Sequence, residues 1–202
     1  MIIYQSESAH VQAARVVERG GVIGYRTDTL YGLGADPANA AAVRRIMELK
    51  GREDGKPILL LLSDFAAVAK YLTHTSKTFA DIARRFWPGP LTLIGEAKSE
   101  LPDELTAGTG TIGLRLPEAQ AVRALVRSCG GALTATSANP SGRPAALTAE
   151  EVAEYFPELD LIVDGGKVTT AEPSTVLSVT GAQPILIREG TIAASELQEW
   201  LA

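Results

Sequence analysis

Residues 22–34 read VIGYRTDTLYGLG, an apolar run followed directly by a polar loop. The run 22–25 has the length and the apolar character of a buried strand. In the loop predicted over 26–34, three hydrogen-bonding side chains stand in a row, and two glycines allow the backbone to approach a ligand closely. The loop matches neither the G-x-x-x-x-G-K-[ST] nor the G-x-G-x-x-G phosphate-binding motif. An ordinary turn, in which Asp28 hydrogen-bonds its own backbone, explains the local chemistry equally well.

Outward from this stretch, short apolar runs alternate with amphipathic segments, which is typical of an α/β domain. Strands are predicted at 2–4, 22–25, 58–62, 91–95, 111–116, 133–137, 161–163, 175–179 and 185–188. Helices are predicted at 11–18, 65–71, 78–86, 122–129 and 148–156. Two more helices are predicted to begin at caps, one at Asp36-Pro37 and one at Ser195. Because strands outnumber helical crossovers, we expect a mixed sheet. No linker or repeat interrupts the chain, so one domain over residues 1–202 is the simplest interpretation.

Composition and charge narrow the classes of function. The chain has 202 residues, of which 46% are hydrophobic and 21% charged, so disorder throughout is excluded. A single cysteine, Cys129, excludes a disulfide scaffold and a structural zinc site. With a formal net charge of −5, nucleic-acid binding would need a local basic patch. We expect a cytoplasmic protein without membrane contact, because no signal-peptide pattern and no apolar stretch of roughly 20 residues occurs.

A second polar segment, residues 50–57, reads KGREDGKP. Lys50 lies seven residues after Val43 and continues the apolar stripe of the preceding helix, which places a cation on the inner face of the helix end. A lysine at this position can simply neutralise the helix dipole. Three cations within seven residues, including Arg52 and Lys56, also suit a polyphosphate. A solvated run of charges remains the alternative.

A third segment, residues 134–142, reads TATSANPSG and joins a strand to a turn rich in hydroxyl and amide groups. Ligands of α/β sheets tend to bind at the carboxyl ends of strands, where Ser137 and Asn139 would suit a nucleotide base or a phosphate oxygen. A simple Asx or serine turn is the alternative. Thr111 and Arg115 stand four residues apart on a predicted strand and should share one face.

Smaller features and absences complete the chemical inventory. Ser174 opens one predicted strand and Arg188 closes another, positions that are structural more often than functional. The two histidines, His10 and His74, lie outside the polar segments, and no G-x-S-x-G nucleophile motif occurs. The segments offer cations and hydroxyl groups. This set favours chemistry by positioning and charge neutralisation, such as phosphoryl or nucleotidyl transfer.

Seven segments, taken in their order along the chain, resemble the YrdC-domain family. They are TDTxYGLG at 27–34, KxR at 50–52, WPGPLT at 87–92, RLP at 115–117, SANxSG at 137–142, STV at 174–176 and REG at 188–190. The resemblance implies a twisted, open mixed α/β sheet with flanking helices and a basic concave site. It also implies the activity of the family's principal members, the L-threonylcarbamoyladenylate synthases. They combine L-threonine, bicarbonate and ATP into threonylcarbamoyl-AMP, release pyrophosphate, and supply the t6A modification at position 37 of tRNA.

The resemblance further implies roles for individual residues. Charge neutralisation in catalysis is implied for Lys50 and Arg52. ATP binding is implied for Arg52, Lys56, Thr111, Ser137, Asn139 and Arg188. Threonine binding is implied for Thr29, Tyr31, Arg115 and Ser174. Mg²⁺ is expected to arrive with ATP and to be held mainly by phosphate oxygens and water, with no metal ligand named in the protein. tRNA on the basic patch and tRNA-modifying partner proteins are further expected partners.

Two positions depart from the family pattern and keep other interpretations open. Arg26 stands where a proline is usual, and Leu61 stands where some longer members have a histidine. A relative that adenylates a different carbamoyl substrate is therefore one alternative. An RNA-binding or ribosome-associated module is another, because a basic concavity can also hold a phosphodiester backbone, although basic and aromatic residues are not interleaved here. The chain resembles the single-domain bacterial form of the family.

Overall fold

The computed structural model describes residues 1–51, 57–169 and 172–201. Within these ranges the strands are β1 Ile2–Tyr4, β2 Ile23–Arg26, β3 Tyr31–Gly34, β4 Leu59–Leu62, β5 Leu91–Glu96, β6 Thr111–Arg115, β7 Ala132–Ser137, β8 Leu161–Asp164, β9 Thr175–Ser178 and β10 Ile185–Arg188. The α-helices are α1 Glu7–Glu18, α2 Ala40–Lys50, α3 Lys77–Phe86, α4 Asp103–Thr106, α5 Gln120–Ser128, α6 Ala149–Tyr155 and α7 Gln198–Leu201. Two 3-10 helices cover Phe65–Lys70 and Ala194–Leu197.

The strands belong to one sheet, in the order β1-β8-β2-β3-β7-β4-β6-β5-β9-β10. The pairs β1/β8, β8/β2, β4/β6 and β5/β9 run parallel. The pairs β2/β3, β3/β7, β7/β4, β6/β5 and β9/β10 run antiparallel. The predicted open mixed α/β sheet with flanking helices is therefore confirmed. Its order also brings the polar ends of distant segments together, since β4 lies between β7 and β6.

Helices cover the two faces of the sheet to different extents. On one face, an apolar cluster joins α2, α3 and α6 to alternate strand residues such as Leu60, Leu114 and Leu177. On the other face, α1 and α5 cover β8, β2, β7 and β4 through a second cluster that includes Tyr25 and Leu61. Among the described residues, β5, β6 and β9 contribute none to this second cluster. Their side of the face is left for a cavity.

The prediction of a loop over 26–34 is wrong for the second half of that range. Tyr31–Gly34 forms β3 and pairs antiparallel with β2, so the two strands make a hairpin. The glycines in this segment serve close packing as well as loop flexibility, because a Cβ on Gly34 would lie 2.7 Å from the ring of Tyr25.

The predicted helix caps are also corrected at two places. Asn39, and not Asp36, caps α2, because its side chain accepts a hydrogen bond from the N–H of Ala42 at 3.1 Å. Asp36 instead accepts from Ala38 in the preceding turn. Near the C-terminus, the carboxylate of Glu196 accepts from a backbone N–H at 3.1 Å, in place of a Ser195 cap. Within the described ranges, no helix combines the length and apolar composition needed to cross a membrane.

Candidate functional site

The uncovered part of the sheet forms the floor of a cavity of about 860 Å³. Side chains that alternate along neighbouring strands build this floor, for example Leu59 and Leu61 on β4 and Gly113 and Arg115 on β6. The walls come from the β2–β3 turn, from the turn after β7 and from the residues just before β9. Lys50, Gly51 and Pro57 of the second polar segment also line the cavity. All three polar segments identified in the sequence therefore border one space.

Nine of the eleven residues predicted for the site line this cavity. They are Thr29, Tyr31, Lys50, Thr111, Arg115, Ser137, Asn139, Ser174 and Arg188. The other two, Arg52 and Lys56, lie outside the described residues. Thr111 and Arg115 share one face of β6, as their spacing predicts. The lining also includes Leu61, one of the two departures from the family pattern.

The charge of the cavity lining is one-sided. Among the lining residues that the structure describes, Lys50, Arg115, Arg143 and Arg188 are cationic and none is acidic. A concave surface lined by charges of one sign attracts ligands of the opposite sign. The arrangement thus provides a local site for anions on a chain whose formal net charge is −5.

Arg115 is held in place by three different contacts, and its side chain is only 4% exposed. Its Nε donates to the carbonyl of Gly89 at 3.0 Å, and its Nη1 donates to Oγ1 of Thr29 at 3.0 Å. Its Nη2 lies 2.7 Å from a carboxylate oxygen of Asp28. Burial lowers the pKa of Arg115, and the charge of Asp28 opposes that change. Because a guanidinium carries five N–H donors, donors remain for an anion in the cavity.

The β2–β3 turn is held by the hydroxyl of Thr27. This hydroxyl donates to the carbonyl of Leu30 at 2.6 Å and accepts from the N–H groups of Thr29 and Leu30. Asp28 does not close the turn on itself; its carboxylate accepts from the N–H of Glu118 at 3.1 Å. The ordinary Asx turn considered for Asp28 is therefore replaced by contacts across the fold.

The turn after β7 is held by Lys50 and Asn139. Nζ of Lys50, a buried residue, donates to the carbonyl of Ser137 and, at 2.8 Å, to that of Asn139. The amide nitrogen of Asn139 donates to the carbonyls of Pro140 and Arg143 at 2.9 and 2.7 Å. The amide oxygen of Asn139 is buried without a hydrogen-bond partner among the described residues. A buried acceptor of this kind suits a donor on a ligand.

The opposite wall is built around Ser174. Its hydroxyl and that of Thr92, both buried, share a hydrogen bond of 2.9 Å. Arg188 reaches back from β10 and donates through Nη2 to the carbonyl of Ser174 at 2.8 Å. Burial lowers the pKa of Arg188, and the positive charge of Arg115 lowers it further. An anionic ligand between these two guanidinium groups would therefore stabilise both charges.

Tyr31, a predicted threonine-binding residue, lines the cavity, but its hydroxyl is hydrogen-bonded to other groups of the protein. The hydroxyl lies 2.9 Å from a carboxylate oxygen of Asp164 and 3.0 Å from the carbonyl of Gly166. Burial raises the pKa of Tyr31, and the hydrogen bond to Asp164 raises it further, so the group stays a donor. The hydroxyl thus links β3 to the segment after β8.

The sequence alone assigns no site role to five polar lining residues, which are Thr27, Thr92, Thr136, Ser141 and Arg143. Thr92 is a buried hydroxyl residue within the otherwise apolar start of β5, and it falls inside the WPGPLT motif, so a signal for it existed. Arg143 lies in an exposed turn and belongs to no periodic pattern. Only the path of the chain after β7 brings it to the cavity.

The sequence and the fold of this chain both match known proteins. Residues 15–190 match the Sua5/YciO/YrdC family model, which is described as telomere recombination. A threonylcarbamoyl-AMP synthase of Thiobacillus denitrificans is 42% identical over 163 residues, covering 81% of this chain and 87% of that protein. The crystal structure of Pyrococcus abyssi Sua5 complexed with L-threonine has a TM-score of 0.95 and 31% identity, covering 100% of this chain and 61% of that chain. The crystal structure of Escherichia coli YciO has a TM-score of 0.88 and 27% identity, covering 100% of this chain and 99% of that chain. The chain belongs to the Sua5/YciO/YrdC family.

Proposed function

We propose that this chain is an L-threonylcarbamoyladenylate synthase, which converts L-threonine, bicarbonate and ATP into threonylcarbamoyl-AMP and pyrophosphate. The observation that carries the proposal is the convergence of nine predicted residues on one cavity with a cationic lining. Two relatives support it, since the Thiobacillus protein carries the name of this activity and the Pyrococcus structure holds L-threonine.

L-threonine binds on the side of the cavity that Arg115 occupies. The N–H donors of Arg115 that are not used by its protein contacts face the carboxylate of the amino acid, as a guanidinium–carboxylate pair. Thr29 lies 3.0 Å from Nη1 of Arg115, and the Ser174 hydroxyl lines the opposite wall. Both hydroxyls are therefore candidates for contact with the amine or the side-chain hydroxyl of threonine.

ATP binds towards the turn after β7. The unpaired amide oxygen of Asn139 accepts from a donor of the nucleotide, while Ser137 and Thr111 offer hydroxyl groups. Arg188 and Lys50 contribute positive charge to the phosphate side of the cavity. The family pattern adds Arg52 and Lys56 around the phosphates, at positions outside the described residues.

The reaction forms two bonds. The amine nitrogen of threonine bonds to the carbon of bicarbonate and water leaves, which yields an N-carboxylate. One oxygen of this group attacks the α-phosphorus of ATP, and the bond to the oxygen that bridges to the β-phosphate breaks, so pyrophosphate leaves with the electron pair. Cations placed around the leaving group are worth about 3–4 kcal/mol each in such a transition state. Adenylation needs no general base, because a carboxylate is already ionised near neutral pH.

Mg²⁺ is proposed to enter with ATP. The described lining contains no aspartate, glutamate, histidine or cysteine, and elsewhere the described residues form no group of three such side chains fit to hold a metal. These residues therefore provide no protein ligand set for the ion. Phosphate oxygens and water would serve as its ligands, as is usual for Mg²⁺ at nucleotides.

The product is proposed to supply the t6A modification of tRNA. A mixed anhydride of a carbamate and AMP is an activated acyl donor, so a separate transfer step must consume it. Partner proteins for that step and tRNA itself are the expected partners, and the cationic cavity mouth with the exposed Arg143 is the surface where an RNA backbone could approach.

Pyrophosphate release tests this function directly. With ATP and Mg²⁺, the protein is expected to release pyrophosphate only when L-threonine and bicarbonate are both present, and the product should have the mass of threonylcarbamoyl-AMP. Release that follows another amino acid would assign the activity to a different carbamoyl substrate, with Leu61 as the first residue to examine, because it faces Arg115 in the β4/β6 register. ATP-independent, steeply salt-dependent RNA binding without release would favour the RNA-binding alternative.

Gly190 sets the geometry of the Ser174 wall. A Cβ at this position would lie 2.2 Å from the carbonyl oxygen of Pro173 and 2.8 Å from the carbonyl carbon of Ser174. The backbone must shift to accept Gly190→Ala, so we expect kcat/KM for threonine to fall about tenfold or more. The matched control is Gly181→Ala, whose Cβ would meet only the Gln183 carbonyl at an ordinary 3.7 Å and should leave steady-state kinetics unchanged. Equal kinetics for both variants would contradict this role of Gly190.

A further inference from the structure

Asp28 is a carboxylate placed beside a site for anions. It does not line the cavity, yet its side chain is only 15% exposed and pairs with Arg115 at 2.7 Å. Its Oδ1 atom is buried without a hydrogen-bond partner among the described residues. A negative charge at this place repels the carboxylate of an amino acid in the cavity, which by itself weakens binding. Its position therefore calls for a compensating role.

The contacts of Asp28 indicate what that role is. Its Oδ2 atom accepts from the N–H of Glu118 at 3.1 Å, which fixes the carboxylate between the β2–β3 turn and the segment after β6. From there it holds Nη2 of Arg115, while Gly89 holds Nε and Thr29 holds Nη1. Two nitrogens of the guanidinium are thus held by hydrogen bonds, and the third, Nη2, is held by Asp28 through an ion pair that lacks hydrogen-bond geometry. Asp28 therefore acts on the orientation of the guanidinium through charge at the Nη2 end.

We propose that Asp28 is a positioning residue that orients Arg115 for recognition of the substrate carboxylate. The inference rests on the proposed function, because it takes L-threonine as the ligand of Arg115. A guanidinium pairs with a carboxylate through two parallel N–H donors, so its affinity depends on the direction of its plane. Orientation of Arg115 by Asp28 should strengthen threonine binding, whereas repulsion by the Asp28 carboxylate should weaken it. Removal of the carboxylate therefore weakens threonine binding if orientation dominates and strengthens it if repulsion dominates.

L-threoninamide is the probe for this role, because it keeps the amine and the side chain of threonine but lacks the carboxylate. Pyrophosphate release by the intact protein would give kcat/KM for each compound, and the ratio of the two values measures carboxylate recognition. Asp28→Ala is expected to lower this ratio about 30-fold, and Asp28→Asn about fivefold, because an amide oxygen is a weaker acceptor for Arg115. The KM for ATP should change less than about threefold in both variants.

The matched control is Asp160. Like Asp28, it pairs with an arginine, Arg45, at 2.6 Å and accepts from a backbone N–H, that of Val22, at 2.8 Å, but it lies away from the cavity. Asp160→Ala should leave the ratio at the wild-type value. If Asp28→Ala does not fold, Asp28→Asn decides: a fivefold loss supports the role, and an unchanged or raised ratio overturns it.

The outcomes for the proposed function and for Asp28 can be told apart. A wild-type protein that releases no pyrophosphate with threonine overturns the proposed function and this inference together. If the wild-type protein and the Asp28→Ala variant prefer threonine over threoninamide to the same extent, only the role of Asp28 is overturned. A loss shared equally by threonine, threoninamide and ATP would assign Asp28 to scaffolding and likewise overturn its positioning role.

Discussion

Replacement of Arg115 by methionine is expected to lower kcat/KM for threonine about 100- to 1000-fold, because the charged donor proposed to bind the substrate carboxylate is lost. The same change removes the partner of the Asp28 carboxylate, which is 15% exposed and forms an ion pair of 2.7 Å with the buried Arg115. Breaking a buried ion pair from one side costs about 3–5 kcal/mol of folding free energy. Urea unfolding and pyrophosphate release with varied threonine measure the two effects separately.

A double variant separates catalysis from stability. Arg115→Met combined with Asp28→Asn removes both charges of the pair, so it should recover much of the lost folding free energy while activity stays low. Arg45→Met is the control, since its ion pair with Asp160 involves side chains that are 35% and 36% exposed. An exposed pair is worth about 1 kcal/mol or less, and activity should not change. Wild-type threonine kinetics in Arg115→Met would remove this arginine from the threonine site.

Lys50→Met is expected to raise the KM for ATP about 10- to 100-fold while the KM for threonine changes little. The methionine keeps an apolar stem but removes Nζ, which donates to the carbonyls of Ser137 and Asn139. Both carbonyls belong to the turn that forms the proposed nucleotide wall, and loss of a buried donor costs about 1–3 kcal/mol. Substrate-saturation kinetics for ATP and thermal unfolding together check this prediction.

The pattern of kinetic change decides what Lys50 does. A rise in KM for ATP indicates that Lys50 shapes the nucleotide wall through its carbonyl contacts. A fall in kcat with an unchanged KM would contradict that role and leave only charge neutralisation in the transition state. Lys77→Met serves as the control, because the Lys77 side chain is 89% exposed and does not line the cavity.

Local signals in the sequence predicted the elements of the fold well. The buried run at 58–62 becomes β4, and the stripe that begins at Val43 becomes the inner face of α2. The prediction fails where one residue type serves two purposes. The predicted loop includes Gly32 and Gly34, yet both lie in β3, where Gly34 allows the close approach of Tyr25 and Gly32 lies against the carbonyl of Thr136. Likewise, Asp36 and Asn39 are both residue types that cap helices well, and only the position at which α2 begins, Ala40, shows that Asn39 is the cap.

The candidate site was predictable as a set of residues but not as a set of contacts. Polar segments at strand ends indicated convergence, and nine predicted residues do line one cavity. Their partners were hidden: Lys50 donates to backbone carbonyls, and Tyr31 bonds to Asp164, 133 positions away.

By itself, the sequence determined the α/β class, the order of most strands and helices, and the residues of the family pattern, because apolar periodicity, caps and motifs are short-range properties of the chain. Tertiary structure alone decided that β4 lies between β7 and β6, that α1 and α5 leave part of one sheet face open, and that Asp28 meets Arg115. These features depend on the order of strands across the sheet, which is set by burial of both faces together and not by any single segment.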